Sequence, residues 1–290
     1  MGKTASFNVG LDRHGGEVRR KALEALNEDA QRDITSEAAI PAKLTGKAAI
    51  VANEPGVFCG IVEARAVFGK LKVTALIKEG EPMRKGQKLL FVSGSLREIL
   101  RCERTALNYI SLLSGIATAV SRFNAPGRVA GLRKTHPLLN LSERRAVKVG
   151  GGITHRLTLG DGILVKDNHI TAIARELGCS REEAIAKAVG RIKKGRQGTR
   201  FPIEVEASTI SEAVSAAESG ADAVLLDNLS PAEGKRAAKA ARKMNQKIII
   251  EASGGITYKT ARAYLKFADF VSSSEVALKA RPIDVSLDVE

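Results

Sequence analysis

From Val129 onward the chain alternates in a way that few folds accommodate. Short apolar runs at 129–132, 162–165, 202–205, 223–226, 247–250 and 269–271 are separated by stretches carrying helix-start signals. Ser180-Arg-Glu-Glu183, Thr209-Ile-Ser-Glu212 and Ser230-Pro-Ala-Glu233 each have the form of a capping box, and Pro231 suits a first helical position. In that device a hydroxyl and a carboxylate satisfy amides that the first turn leaves unpaired. The later units recur about every 20 residues, the length of one strand with its helix. Strands alternating with helices predict a parallel sheet covered by helices, most simply a barrel.

Each apolar run ends in polar residues. VAGL is followed by Arg133-Lys134, GILV by Lys166-Asp167-Asn168, IEV by Glu206, and VLL by Asp227-Asn228. IIIEA is followed by Ser253-Gly254-Gly255, and FV by Ser272-Ser273-Ser274. In a parallel barrel the carboxyl ends of all strands open onto one mouth, where active sites are built. A single polar end reads as ordinary strand termination; six in succession predict one polar site.

The region before Gly127 has a different grammar. Ala48–Val51, Val57–Phe68, Lys72–Ile77 and Lys88–Val92 read as strands of an antiparallel sheet, separated by EPG, GK and EGEPMRKGQ. Ser95-Leu-Arg-Glu98 then opens a long helix as a further capping box. Leu96, Ile99, Leu100, Leu107, Ile110 and Leu113 recur on one face of it, with Arg101, Glu103 and Arg104 partly off that stripe.

With 290 residues, 44% of them hydrophobic, the chain can bury a substantial core, and no apolar run reaches the roughly 18 residues of a membrane span. The amino terminus lacks the apolar centre of a signal peptide, so no membrane partner and a cytoplasmic location are expected. Cys59, Cys102 and Cys179 are odd in number and widely spaced, and read as reduced thiols. The net charge of +14 attracts anions. The basic runs 191–200 and 235–247 read as solvated helix faces, and only 4% aromatic residues with no Trp argue against nucleic acid as a partner.

The expected mouth sets Arg133, Lys134, His155, Arg156 and Lys166 against Glu206 and Asp227. An excess of cations implies an anionic ligand, and arginines favour carboxylate or phosphate through bidentate geometry. Ser253, Gly254 and Gly255 join a strand to a helix start, where open backbone amides suit a phosphate. Glu206 and Asp227 are 21 residues apart, one strand-helix unit, which puts them on neighbouring strand ends. Two carboxylates there can hold Mg2+ or offset positive charge developing on a sugar. An inward structural ion pair is the plainer alternative.

RCERTALNYISLLSGIAT, RKTHP, AVKVGGGITHRLTLGDGILVKDNH, IEVEA, AVLLDN and EASGGIT resemble, in order, the motifs of the quinolinate phosphoribosyltransferase (carboxylating nicotinate-nucleotide pyrophosphorylase) family. Glu28-Asp29 and Asp33-Ile34-Thr35 are similar to that family's amino-terminal signature, so the resemblance spans roughly residues 20 to 270. It implies an α/β fold: an amino-terminal α/β open sandwich over 1–115, which 281–290 can join, and an incomplete (β/α) TIM-like barrel over 116–280. It also implies a homodimer in which Arg104 reaches the neighbour's site, against the plain alternative of a surface ion pair with Glu103 or a residue like Glu98.

The implied reaction joins the pyridine nitrogen of quinolinate to C1 of phosphoribosyl pyrophosphate, releasing pyrophosphate and CO2 and forming nicotinate mononucleotide for NAD biosynthesis. On that pattern Arg104, Arg133, His155 and Arg156 grip the substrate carboxylates, and Lys134 and Lys166 neutralise carboxylate or pyrophosphate oxygens. Glu206 and Asp227 tend the ribose hydroxyls and Mg2+, while Ser253, Gly254, Gly255 and Ser274 hold phosphate. The chain departs from the family at Leu132 and His136, where Thr is usual, and near Ser274, where a glycine is usual. Those departures leave open how the last strand approaches phosphate, and whether His136 joins the site or caps a loop. Rival readings are a molybdate-transport-associated paralogue with another substrate, against which the KDNH run argues, and a non-catalytic nucleic-acid-binding protein suggested by charge alone.

Overall fold

The computed structural model describes residues 10–11, 14–131, 134–195 and 201–290. The chain divides into two compact units. The first comprises Gly10–Asn124, Lys134–Gly152 and Glu275–Glu290. Its helices are α1 (Gly15–Asp29), α2 (Ile34–Ala39), α3 (Ile61–Phe68), α4 (Leu96–Ser121) and α5 (Asn140–Val149). A four-stranded antiparallel sheet has the order β12-β1-β5-β3, formed by β1 (Thr45–Ala52), β3 (Lys72–Ala75), β5 (Lys88–Ser95) and β12 (Val285–Val289). A small pair, β2 (Gly56–Val57) and β4 (Pro82–Met83), lies apart from it in pairing.

Helix α4 organises this unit. Ile99, Cys102, Ala106, Ile110, Leu113, Ala117 and Val120 recur every three or four residues and are all buried, as one face of a helix requires. Ser95 stands at its N-cap position, but its hydroxyl makes no capping bond, contrary to the capping-box reading. The expected strand Val57–Phe68 is also corrected: only Gly56–Val57 is extended, and Ile61–Phe68 is helical. Gly60, at φ +109°, ends the extended run, and Glu79 Oε1 accepts from the amides of Gly60 (2.8 Å) and Ile61 (3.0 Å) at the new helix start. An added Cβ at Gly60 would sit 2.9 Å from Ile110 Cα, so only glycine lets α4 approach this closely. A short apolar run of this kind fits strand or helix, and a distant carboxylate decides it.

Among the described residues, the second unit comprises 125–131, 153–195 and 201–274. Six parallel strands, β6 (Val129–Gly131), β7 (Ile163–Val165), β8 (Ile203–Ala207), β9 (Ala223–Asp227), β10 (Ile249–Ser253) and β11 (Phe270–Ser273), form one sheet in the order β6-β11-β10-β9-β8-β7. β6 and β7 are its two edges, which makes the barrel incomplete, as the family resemblance implies. Helices α6 (Asp167–Leu177) and α7 (Arg181–Gly195) both lie between β7 and β8, whereas α8 (Ile210–Glu218) and α9 (Pro231–Met244) each come after one strand. The short α10 (Ala261–Tyr264) precedes β11.

Two of the three expected capping boxes form in this unit, and at Thr209 only the hydroxyl half does, since Glu212 Oε2 accepts from the Ser208 amide at 2.7 Å. Thr209 accepts from the Glu212 amide at 3.1 Å, while Ser180 with Glu183 and Ser230 with Glu233 form reciprocal boxes. Inside the curled sheet Ala130, Ile153, Ala223, Ile249 and Phe270 pack as one apolar cluster. Strand side chains alternate between faces. Leu225 and Asp227 therefore share the face of Ala223, Glu251 and Ser253 that of Ile249, and Ser272 that of Phe270. Glu204 pairs in register with Ala223, so Glu204 and Glu206 lie on the same face.

Candidate active site

The carboxyl ends of the six strands collect most of the expected polar residues on one side of the second unit. Asp227 ends β9 and is paired in register with Ser253, the last residue of β10. Glu206, on β8, pairs with Leu225, so its Cα lies two residues, about 6–7 Å, deeper than that of Asp227. Lys166 comes directly after β7 and is half-buried at the N-cap of α6. The rest of the KDNH run serves the helix: Asp167 pairs with Arg181 at 2.6 Å, and His169 Nδ1 accepts from the Lys166 amide at 2.9 Å.

The Ser253-Gly254-Gly255 turn is shaped by Asn228, which the sequence marks only as a strand terminus. Asn228 has φ +56°, donates its amide proton to the Ser253 carbonyl at 3.0 Å, and donates from its side chain to Asp227 Oδ2 at 2.6 Å. Gly254 has φ +96°, and a Cβ there would meet the Asn228 backbone nitrogen at 2.7 Å. Gly255 has φ +63° with open space around it. The serines that replace the family's usual glycine brace this turn: Ser273 Oγ donates to the Ile256 carbonyl, and Ser272 donates inward to Glu251. Ser274, half-buried, begins a short 3-10 turn through Val276.

Below this rim lies a polar layer of which sequence reasoning found His155 but missed Glu204 and Glu251. His155 is buried with φ +53°, and its Nε2 is 3.2 Å from Glu204 Oε2 and 3.1 Å from Glu251 Oε2. Its ring packs on Phe270 with centroids 6.1 Å apart at 60°. Burial disfavours a charged imidazole, and the carboxylates of Glu251 and Glu204 pull the other way. The geometry opposes a second ring proton, because Nδ1 already accepts the Arg156 amide proton at 2.8 Å. We place one proton on Nε2 and the other between the carboxylates, on geometric grounds. Burial, then the neighbouring Glu251 charge, raises Glu204 to about 7. Burial acts upward on Glu251 as well, but His155 and the Ser272 hydroxyl bring it below the usual range.

Glu204 Oε1 has no hydrogen-bond partner among the described residues, and a shared proton lessens the cost of that buried orphan. These three side chains could also offer ligand atoms to a cation. The missed signal is present in IEVEA and IIIEAS: carboxylates two residues below the strand ends, at positions where a barrel interior is ordinarily apolar.

Arg156 is buried and donates one guanidinium arm to the Gly162 carbonyl at 3.0 Å. Arg133 lies outside the described residues. Lys134 and Arg104 belong to the first unit. Lys134 is exposed, and Arg104 pairs with Asp29 at 2.9 Å, not with Glu103 or Glu98. Arg104 also lines a pocket of about 390 Å³ with Glu28, Asp29, Asn108, Tyr109 and Leu139. His136, in the loop before α5, turns to that helix: its Nδ1 contacts Glu143 Oε1 at 2.5 Å and its amide donates to the same carboxylate.

Two family models match consecutive parts of the chain: the quinolinate phosphoribosyl transferase N-terminal domain over residues 33–114 and the C-terminal domain over 113–288. A probable nicotinate-nucleotide pyrophosphorylase [carboxylating] of Methanocaldococcus jannaschii is 38% identical, covering 89% of this chain and 91% of that protein. One of Methanothermobacter thermautotrophicus is 35% identical, covering 89% and 93%. The solved nicotinate-nucleotide pyrophosphorylase of Francisella tularensis superposes with a TM-score of 0.82 at 31% identity, covering 95% of this chain and 97% of that one.

Proposed function

The chain belongs to the quinolinate phosphoribosyltransferase family, and from that premise we propose how its own residues carry the family reaction. The enzyme converts quinolinate and phosphoribosyl pyrophosphate to nicotinate mononucleotide, pyrophosphate and CO2. The pyridine nitrogen supplies the electron pair for the new bond to the ribose C1, and the C1–oxygen bond breaks with its pair leaving on pyrophosphate. The C2 carboxylate then departs as CO2. Its bonding pair remains on the ring carbon beside the cationic nitrogen, which stabilises it until a proton arrives.

The observation that carries this reading is the shared rim of Lys166, Glu206, Asp227 and Ser253 at the strand ends of a chain that matches the family along nearly its whole length. Glu206 and Asp227 line one inner face, where they steady the ribose and offset the oxocarbenium-like charge formed as pyrophosphate leaves. Ser253, Gly254 and Gly255 offer a turn for the sugar phosphate that is open at Gly255, and Ser274 stands beside it in the sequence of strand ends. Lys166 neutralises departing oxygens. The diacid end is assigned to the His155–Arg156 turn. Holding two polyanions in reactive register contributes up to about 7–11 kcal/mol of barrier lowering.

Glu206 and Asp227 fit a magnesium site, since that ion takes one or two protein carboxylates and completes its shell with substrate phosphates and water. The ion would supply charge neutralisation at the pyrophosphate. Arg104 is 77% exposed on its side chain, which suits donation to a second subunit of a homodimer. No helix among the described residues is long and apolar enough to cross a membrane, in keeping with a cytoplasmic enzyme.

The test is direct. Purified protein with quinolinate, phosphoribosyl pyrophosphate and magnesium should release CO2 and nicotinate mononucleotide in equal amounts. Omitting magnesium should abolish turnover, and Glu206→Ala should lose it while keeping the native melting curve. A folded protein that forms no product would overturn the reading.

A further inference from the structure

Beneath the rim, three segments converge on one imidazole. Glu204 comes from β8, Glu251 from β10, and His155 from the stretch between β6 and β7, with Ser272 of β11 donating to Glu251. All four side chains are buried, and none stands at a strand end. His155 holds a left-handed backbone, a conformation unfavourable for a residue with a side chain. Something must over-determine it, and the two carboxylates on Nε2 and the Arg156 amide on Nδ1 grip both ring nitrogens. The second of these bonds ties ring orientation to the backbone of Arg156.

We propose that Glu251 and Glu204 are positioning residues for the diacid end of the site. They anchor the His155 ring from below and so fix the His155–Arg156 turn against which the pyridine dicarboxylate is held. The proposal deepens the functional reading above and rests on it. The anchor needs a hydrogen-bond acceptor at Glu251, and Ser272 orients that carboxylate. Its loss should tilt the His155–Arg156 turn while leaving the Ser253–Gly255 turn braced through Ser273 and Asn228. The expected signature is a substrate-selective one: weakened quinolinate, unchanged phosphoribosyl pyrophosphate.

Steady-state kinetics on the full chain with magnesium tests this. Glu251→Ala is expected to raise KM for quinolinate roughly 10–100-fold, the scale on which a displacement near 1 Å acts, with KM for phosphoribosyl pyrophosphate within about twofold of wild type. Glu251→Gln, which can still accept from Nε2–H, should recover most of that loss. If Glu251→Ala does not fold, Ser272→Ala removes only the orienting hydroxyl and should show the same selectivity at smaller size, about 3–10-fold. Equal rises in both KM values, or a lower melting temperature with wild-type kinetics, would reduce the cluster to a structural role and defeat the proposal. So would one equivalent of transition metal retained by wild-type protein and lost from Glu251→Gln, since the carboxylates would then be ligands. A wild-type enzyme that turns over neither substrate defeats the functional reading instead, and is seen before any variant is made.

Discussion

Replacing Gly254 by Ala tests the phosphate turn most sharply. Gly254 is held at φ +96°, where a side chain costs about 1–2 kcal/mol. Its new methyl would lie 2.3 Å from Asn228 Oδ1, 2.7 Å from Asn228 N and 2.8 Å from Asn228 Cα. The side-chain oxygen can rotate away, but the backbone atoms must retreat by about 0.7 Å to reach ordinary contact, an overpacking cost of ~1–3 kcal/mol. A combined loss of about 2–5 kcal/mol is smaller than the 5–15 kcal/mol typical of folded domains, so the protein should still fold, with Tm lower by roughly 4–10 °C. The movement strains the Asn228 amide bond to the Ser253 carbonyl and displaces the turn that faces phosphate. KM for phosphoribosyl pyrophosphate should rise about 10–100-fold, with KM for quinolinate little changed. Gly255→Ala is the control: φ +63° but nothing within 4 Å of the added carbon, so only the conformational cost of about 1 kcal/mol applies. Initial rates at saturating quinolinate, with thermal melts of both variants, decide it. If Gly254→Ala matched wild type in both Tm and KM, the close approach to Asn228 would not be what shapes the turn.

Other perturbations separate stability from chemistry. Arg145 bridges Glu63, whose side chain is fully buried, and Glu79, which caps α3; Arg145→Ala should cost about 3–5 kcal/mol in urea unfolding by stranding a buried carboxylate. Cys59 and Cys102 are buried, which pushes both thiols up, Cys102 to about 11, so a thiol-reactive dye at pH 7.5 should label Cys179 alone in native protein and all three cysteines after denaturation. Arg104→Ala removes an exposed ion pair and should change stability by less than ~1 kcal/mol while lowering turnover; mixing it with Glu206→Ala should restore activity in mixed dimers if the site spans two chains.

Much of the fold was legible because its signals are local. Capping at Thr209 and Ser230 needs only residues within one turn, and each barrel strand stands out as an apolar run against polar neighbours. The error at Val57–Phe68 has the opposite cause. Whether that run extends or coils depends on Glu79, about twenty residues away, capping Ile61, and on α4 passing close to Gly60. The missing hydroxyl bond at Ser95 is similar: its motif permits a cap that the structure does not form.

The candidate rim was legible to the depth at which strand ends reveal it. Lys166, Glu206, Asp227 and Ser253 are each found as the polar residue that terminates an apolar run, because every parallel strand delivers its end to the same rim. Glu204 and Glu251 share a face with Glu206 and Ser253 but lie one alternation lower, a position recoverable from strand parity alone. Their partnership is not recoverable that way. β9 lies between β8 and β10, so in a flat sheet the two carboxylates would be separated by two strand spacings, about 9–10 Å. In this protein both reach a single nitrogen of His155, at 3.2 and 3.1 Å. Sheet curl accounts for that convergence, and curl is a property of six strands together. A motif such as IEVEA can therefore announce its outer carboxylate from sequence, while the inner one acquires a role only when the barrel bends.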